Sequence, residues 1–206
     1  METKLNFSVS YNDLLKIHNA EVANFDKAYE LILNKDSWQN LDNVIEFLSK
    51  WNTRVPIRRN KEEIKRTIIS LKEAFNSLER ISLENFNTNE ETLKSTERIF
   101  EILSKLELKT PSGRPVHLKS TGVSKVMHAM NPNLFVMWDS GICEYYGCYP
   151  NAKGYIRFME TMQEIARSIL KEHKVEEIFK NTNRTLPKLL DEYNWAKFST
   201  SKMKLK

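Results

Sequence analysis

Apolar residues recur at three- and four-residue spacing along almost the whole chain, and convincing period-two alternation is hard to find. That pattern predicts amphipathic helices nearly throughout. With only 5 Gly and 6 Pro in 206 residues, little room remains for a hairpin-rich β fold, so the expected class is all-α. Residues 11–34, with Leu14, Ile17, Val22, Phe25 and Tyr29, suit two short helices or one bent one. Leu41, Val44, Ile45, Phe47, Leu48 and Trp51 line one face of the next. The segment TRVPIRRN ends it, because Pro56 lacks an amide donor and biases Val55 away from helix. Asn60 is placed to cap a long helix reaching Leu78, with Glu62 and Glu63 in its positive first turn. A further helix is predicted from Glu90 to Leu108. A short one follows near 122–130, another opens at Asp139, and two more run from about Gly154 to Lys174 and from about Leu186 to Phe198.

The densest cluster of breakers, KTPSGRPVH with Pro111, Gly113 and Pro115, marks the expected boundary between two helical lobes, 1–109 and 116–206, of one domain. Hydrophobic residues make up 40% of the chain, with four Trp and ten Phe, enough for a proper core without metal or disulfide staples. No apolar run approaches a membrane span and METKLNFSVSYND lacks a signal-peptide core, so the expected address is cytoplasmic, with no membrane partner. Cys143 and Cys148 are too few and too close for a secreted disulfide framework.

The 32 basic and 27 acidic residues leave a net charge of +5, which permits an anionic partner without requiring one. Distribution says more. Between Lys105 and Lys125 lie five basic residues (Lys105, Lys109, Arg114, Lys119, Lys125) and a single acid, Glu107. Arg54, Arg58, Arg59 and Lys61 form a second cluster, and Lys197, Lys202, Lys204 and Lys206 a third. One such cluster is ordinary solvated surface; three beside an otherwise balanced chain point toward phosphate contact.

Residues 118–147, LKSTGVSKVMHAMNPNLFVMWDSGICEYYG, carry the most information. Thr121-Gly122-Val123-Ser124 is expected to form a tight turn opening a helix, its backbone N–H groups facing outward beside Lys119 and Lys125 as a phosphate seat. Asn131-Pro132 ends that helix. An apolar extended run, Leu134 to Trp138, then delivers Asp139 to the start of the next helix, where its carboxylate can accept a terminal amide.

This arrangement resembles the helix-hairpin-helix DNA glycosylases, the superfamily of endonuclease III and 8-oxoguanine glycosylase. In that family a Gly-Val-Gly type hairpin binds phosphate through backbone amides, a lysine at the start of the second hairpin helix is the nucleophile of bifunctional members, and a later aspartate at a helix start is catalytic. The resemblance implies that Gly122-Val123 matches the hairpin, Lys125 the nucleophile and Asp139 the catalytic aspartate. Lys119, Thr121, Gly122, Ser124 and Arg114 would then contact DNA, and Trp138, Tyr145 and Tyr146 could stack on an extruded base. Ser124 stands where the second hairpin glycine is expected, no Leu-Pro precedes Gly122, and the interval from Lys125 to Asp139 is shorter than the family's by roughly one helical turn. Two cysteines cannot form the four-cysteine iron–sulfur motif.

A lysine nucleophile attacks the sugar C1′ only when deprotonated, which burial and neighbouring cations favour. An ionised aspartate stabilises the cationic sugar as the base leaves. The alternative is plainer, with Lys125 contacting phosphate or solvent and Asp139 an ordinary cap, in a non-catalytic module that binds nucleic acid or protein. A helical enzyme acting on an unrelated small substrate is a third reading without specific support. His117, His128, Cys143 and Cys148 could in principle hold zinc but lack the tight spacing of zinc modules, so neither a metal nor a cofactor is expected. His18 and His173 have no acid–base partner visible in the sequence. Phosphate-loop, dinucleotide, zincin and serine-hydrolase motifs are all absent.

Overall fold

The computed structural model describes residues 9–21, 26–33, 37–51, 55–87 and 89–199. Among these the fold is all-α apart from one small hairpin. The first part comprises α1 (Tyr11–Glu21), α2 (Asp26–Tyr29), α3 (Leu41–Trp51), α4 (Lys61–Ser70), α5 (Lys72–Asn76) and α6 (Glu90–Ser104). The hairpin β1 (Glu107–Lys109) and β2 (Pro115–His117) follows. Then come α7 (Ser120–Met130), α8 (Ser140–Tyr145), α9 (Ala152–Leu170), α10 (Val175–Thr182) and α11 (Leu186–Phe198). Val22, Phe25, Arg54 and the lysines at 202, 204 and 206 lie outside the described residues.

Helices from the two ends of the chain interlock over one continuous apolar core. α1 packs along α11, α3 and α6 both pack on α7, and α6 also meets α9. Packing therefore crosses the break at KTPSGRPVH. That segment is a hairpin rather than a loop between lobes. Glu107 pairs with His117, Leu108 with Val116 and Lys109 with Pro115, and Gly113 at φ +81 makes the left-handed turn that other residues resist. Leu106, Leu108 and Leu118 anchor it in the core. The predicted helix to Leu108 consequently stops at Ser104.

Asn60 does not cap α4 with its side chain. Its amide is spent on the hairpin, accepting from Lys109 N at 2.8 Å and donating to Lys109 O at 3.0 Å and Pro56 O at 2.8 Å. The expected single helix to Leu78 is divided at Leu71, where the backbone leaves helical geometry before α5. At the other end, Asn183 in the left-handed conformation closes α10, a helix not foreseen between the two predicted last ones.

Candidate functional site

α7 begins at Ser120, so Thr121 to Ser124 form its first turns instead of a tight turn ahead of it. No helix and short hairpin precede it in the manner of a helix-hairpin-helix, because β1 and β2 occupy that place. Lys119 and Arg114 are exposed and Thr121 is half-buried, but Gly122 and Ser124 are buried. Ser124, expected at phosphate, is instead a latch. Its Oγ accepts from Trp138 N at 3.2 Å, and its own hydroxyl lies 3.1 Å from Thr121 O. The hydroxyl satisfies a backbone amide that has no sheet partner, in the extended run that ends at Asp139. The rest of that run is held similarly. Val136 O accepts from Tyr155 Oη at 2.8 Å and Phe135 O from His128 Nδ1 at 2.5 Å.

Asp139 caps α8 as its position predicts. Oδ1 accepts from Gly141 N at 3.0 Å and Ile142 N at 3.1 Å, while Oδ2 accepts from Ser199 Oγ, just beyond the end of α11. Lys125 is half-buried, and its ammonium donates to Trp51 O, the last carbonyl of α3. That carbonyl has no acceptor role within its own helix, and a cation there meets the negative end of the helix dipole. The geometry does not pair Lys125 with Asp139. Both carboxylate oxygens of the aspartate are engaged elsewhere.

The three aromatic candidates separate. Trp138 is buried against Tyr155 and Phe158, with its indole N–H donating to Ser120 O at 3.2 Å, so it presents no free ring face. Tyr146 is half-buried and donates to Asn194 Oδ1 at 2.8 Å. Tyr145 is exposed and lies flat on Phe198, ring centroids 3.5 Å apart.

The clamp between Asn60 and Lys109 has an electrostatic consequence. It sets the segment of Arg58, Arg59 and Lys61, around the start of α4, beside the hairpin carrying Lys109 and Arg114, so two basic stretches far apart in sequence become neighbours. Arg58 is paired with Glu46 at 2.9 Å; Lys105, Lys109, Arg114 and Lys119 are exposed and form no ion pair among the described residues.

The sequence reading missed the most unusual cluster. Lys188, Asp191 and Glu192 lie on one face of α11, all nine-tenths or more buried, with Arg184 just before the helix. Lys188 Nζ contacts Asp191 Oδ2 at 2.6 Å and Glu192 Oε1 at 3.7 Å. Arg184 Nε reaches Glu192 Oε1 at 3.3 Å, and His18 of α1 meets Glu192 Oε2 at 2.8 Å. Burial alone would raise the Glu192 pKa, but the His18 hydrogen bond and the cations Lys188 and Arg184 hold it below its ordinary value. Asp191 goes the other way. Burial and the neighbouring Glu192 raise its pKa more than Lys188 and Lys125 lower it. The signal was present in LPKLLDEYNW, where a lysine followed at three and four positions by two acids shares a helix with an apolar stripe.

Trp51 joins this cluster to Lys125. Its carbonyl takes the Lys125 ammonium, and Lys188 Nζ sits 4.2 Å from its ring centroid. His128 is one turn from Lys125 on α7, lying against Tyr29 and Phe47. Donation from Nδ1 to Phe135 O leaves its Nε2 as a buried acceptor without a partner among the described residues. Burial drives its pKa down to about 3. Cys143 is equally far from reactive, its thiol pushed up to about 12 by burial. Among the described residues no three His, Cys, Asp or Glu are grouped to hold a metal, and no helix is long and apolar enough to cross a membrane. Two surface hollows of about 240 and 320 Å³ open beside Asn133 and Val175 and contain none of the candidate residues.

No protein-family model, curated protein or solved structure matches the chain.

Proposed function

We propose that the chain is a nucleic-acid-binding protein, acting on double-stranded DNA, in which Lys125 is a reactive amine of the DNA glycosylase and abasic-site lyase type. The observation that carries the binding half is the clamp of Asn60 on Lys109, which brings the segment of Arg58, Arg59 and Lys61 beside the hairpin of Lys109 and Arg114. A duplex offers closely spaced phosphates, and such a surface would exchange their counterions for fixed cations. The chemical half draws on Lys125, half-buried between α3 and α7 with a further buried cation, Lys188, across Trp51 from it. At an abasic site the free amine would add to the C1′ aldehyde, and the carbinolamine would lose water to give a Schiff base. Borohydride would then deliver hydride to C1′ and leave a stable secondary amine.

A second reading has its own support. Lys125 satisfies the C-terminal carbonyl of α3, and Asp139 has both oxygens committed to α8 and Ser199, which are structural duties. Under that reading the chain binds nucleic acid without reacting. Borohydride trapping on duplexes containing 8-oxoguanine, uracil or an abasic site, with wild type and Lys125→Ala side by side, separates the two. An adduct lost with the lysine supports the lyase; salt-sensitive binding without adduct leaves the binding module; indifference to nucleic acid overturns both.

A further inference from the structure

Buried ion pairs are poor sources of stability, because desolvating the charges offsets most of their attraction. A helix that buries Lys188, Asp191 and Glu192 together on its packed face has therefore given up stability that apolar residues of the same volume would supply. Such a concentration of enclosed titratable groups is where functional sites are found. Glu192 is fully occupied, with His18 on one oxygen and Arg184 and Lys188 on the other. Asp191 is not. Its Oδ2 takes Lys188, and beyond Lys188 lies the ring of Trp51, whose carbonyl holds Lys125.

We infer that Asp191 is a positioning residue for Lys125, its carboxylate and the ammonium of Lys188 setting, across Trp51, how readily the Lys125 amine gives up its proton. The role of this control in a reaction rests on the reading of Lys125 as the reactive amine. The chain of contacts is continuous from Asp191 Oδ2 to Lys188 Nζ at 2.6 Å, from Lys188 Nζ to the Trp51 ring at 4.2 Å, and from Trp51 O to Lys125 Nζ. The groups facing it come from several packed elements: Lys188 and Glu192 from α11, with Arg184 just before it, Lys125 and His128 from α7, His18 from α1, Tyr29 from α2 and Tyr155 from α9. His128 is neutral at ordinary pH, and Tyr29 and Tyr155, wholly buried, keep their protons, so none of these three adds charge beside the lysines, Arg184 and the carboxylates. The signs are opposite for the two partners. The carboxylate holds the Lys125 proton on, and the Lys188 cation drives it off.

The primary test is made on the full chain without DNA. Asp191 is followed by carbon NMR of the carboxyl group through an acid titration, in wild type and in Lys125→Met, whose half-buried side chain leaves the core in place. Coupling predicts that the Asp191 midpoint rises by about half a pH unit or more when the Lys125 charge is removed; the same midpoint in both proteins overturns the proposal. The second arm reads Lys125 itself, as the rate of its reductive methylation against pH by mass spectrometry. Asp191→Asn should make Lys125 react faster at a given pH and Lys188→Met slower. A purely structural role would move both variants in the same direction, and that result overturns the proposal. Should Asp191→Asn not fold, the carboxyl titration stands alone as the decision. Coupling without any borohydride adduct would uphold the control of Lys125 by Asp191 and reject the lyase reading, so the two failures are told apart.

Discussion

Lys188 Nζ lies 4.2 Å from the centre of the Trp51 ring while contacting Asp191 at 2.6 Å, so a fully buried ammonium is shared between an indole face and a carboxylate. Tyr29 also faces it, its ring centroid 5.8 Å from the same nitrogen. The hydroxyl of Tyr29 donates to Thr185 Oγ1 at 2.8 Å, because the single Thr185 hydroxyl proton is already given to Pro132 O. The N-cap of α11, its first buried charge and the aromatic wall from α2 and α3 are thus one assembly.

Removing one partner of that pair should be costly. Lys188→Ala leaves Asp191 enclosed beside Glu192 without its cation, and a loss of about 3 to 5 kcal/mol is expected from the uncompensated charge. Lys188→Met with Asp191→Leu, which removes both charges, should recover much of that loss. Urea unfolding of the single and double variants checks it, and strict additivity would speak against the coupling.

His128 makes stability fall in acid. Its folded pKa of about 3 lies far below the unfolded value near 6.5, so the unfolded chain takes up a proton that the folded chain refuses. The contribution is complete above pH 6.5 and is lost as pH falls toward 3, with a slope of at most about 1.4 kcal/mol per pH unit. Denaturant melts of wild type and His128→Leu between neutral pH and pH 5 should show the variant losing less stability than wild type.

Gly154 reverses the usual helix rule. Glycine to alanine in a helix ordinarily gains about 1 kcal/mol. Here an added Cβ would stand 1.9 Å from Tyr149 O, a backbone atom that cannot swing aside. Gly154→Ala should therefore destabilise, by about 2 kcal/mol or more through displacement of the turn before α9. Thermal melts decide the sign.

Asn60 should matter to binding more than to stability. Asn60→Ala removes the two bonds to Lys109 and frees the hairpin from the start of α4, at a cost of about 1 to 2 kcal/mol. If the two basic clusters act together, duplex affinity and its salt dependence should fall together, as they should in a Lys109→Ala, Arg114→Ala double variant that leaves the clamp in place. Titrations at several salt concentrations compare them.

Local features were legible because they depend on neighbours within a turn. The apolar stripes of α3, α6 and α9 and the Asp139 cap of α8 follow from spacing and from one carboxylate beside free amides. Asn60 was misread for an instructive reason. A residue before a helix has the right chemistry to cap it, and nothing local reveals that a strand 49 positions away will claim the same amide. Gly122 likewise has the freedom to make a turn, yet α7 already begins at Ser120 and buries it.

By itself the sequence determined that the chain is helical, that Asp139 opens a helix and that cations are unevenly spread. Those properties are set by backbone preferences and side-chain chemistry acting over three or four residues. Only the tertiary structure decided which charges meet. It folded α1 onto α11 and α3 onto α7, enclosing His18, Lys188, Asp191 and Glu192 together with the Trp51 and Lys125 contact, and it brought two basic stretches of the chain side by side. A charge on a helix is solvated or buried according to what lies across from it, and that partner arrives from far along the chain.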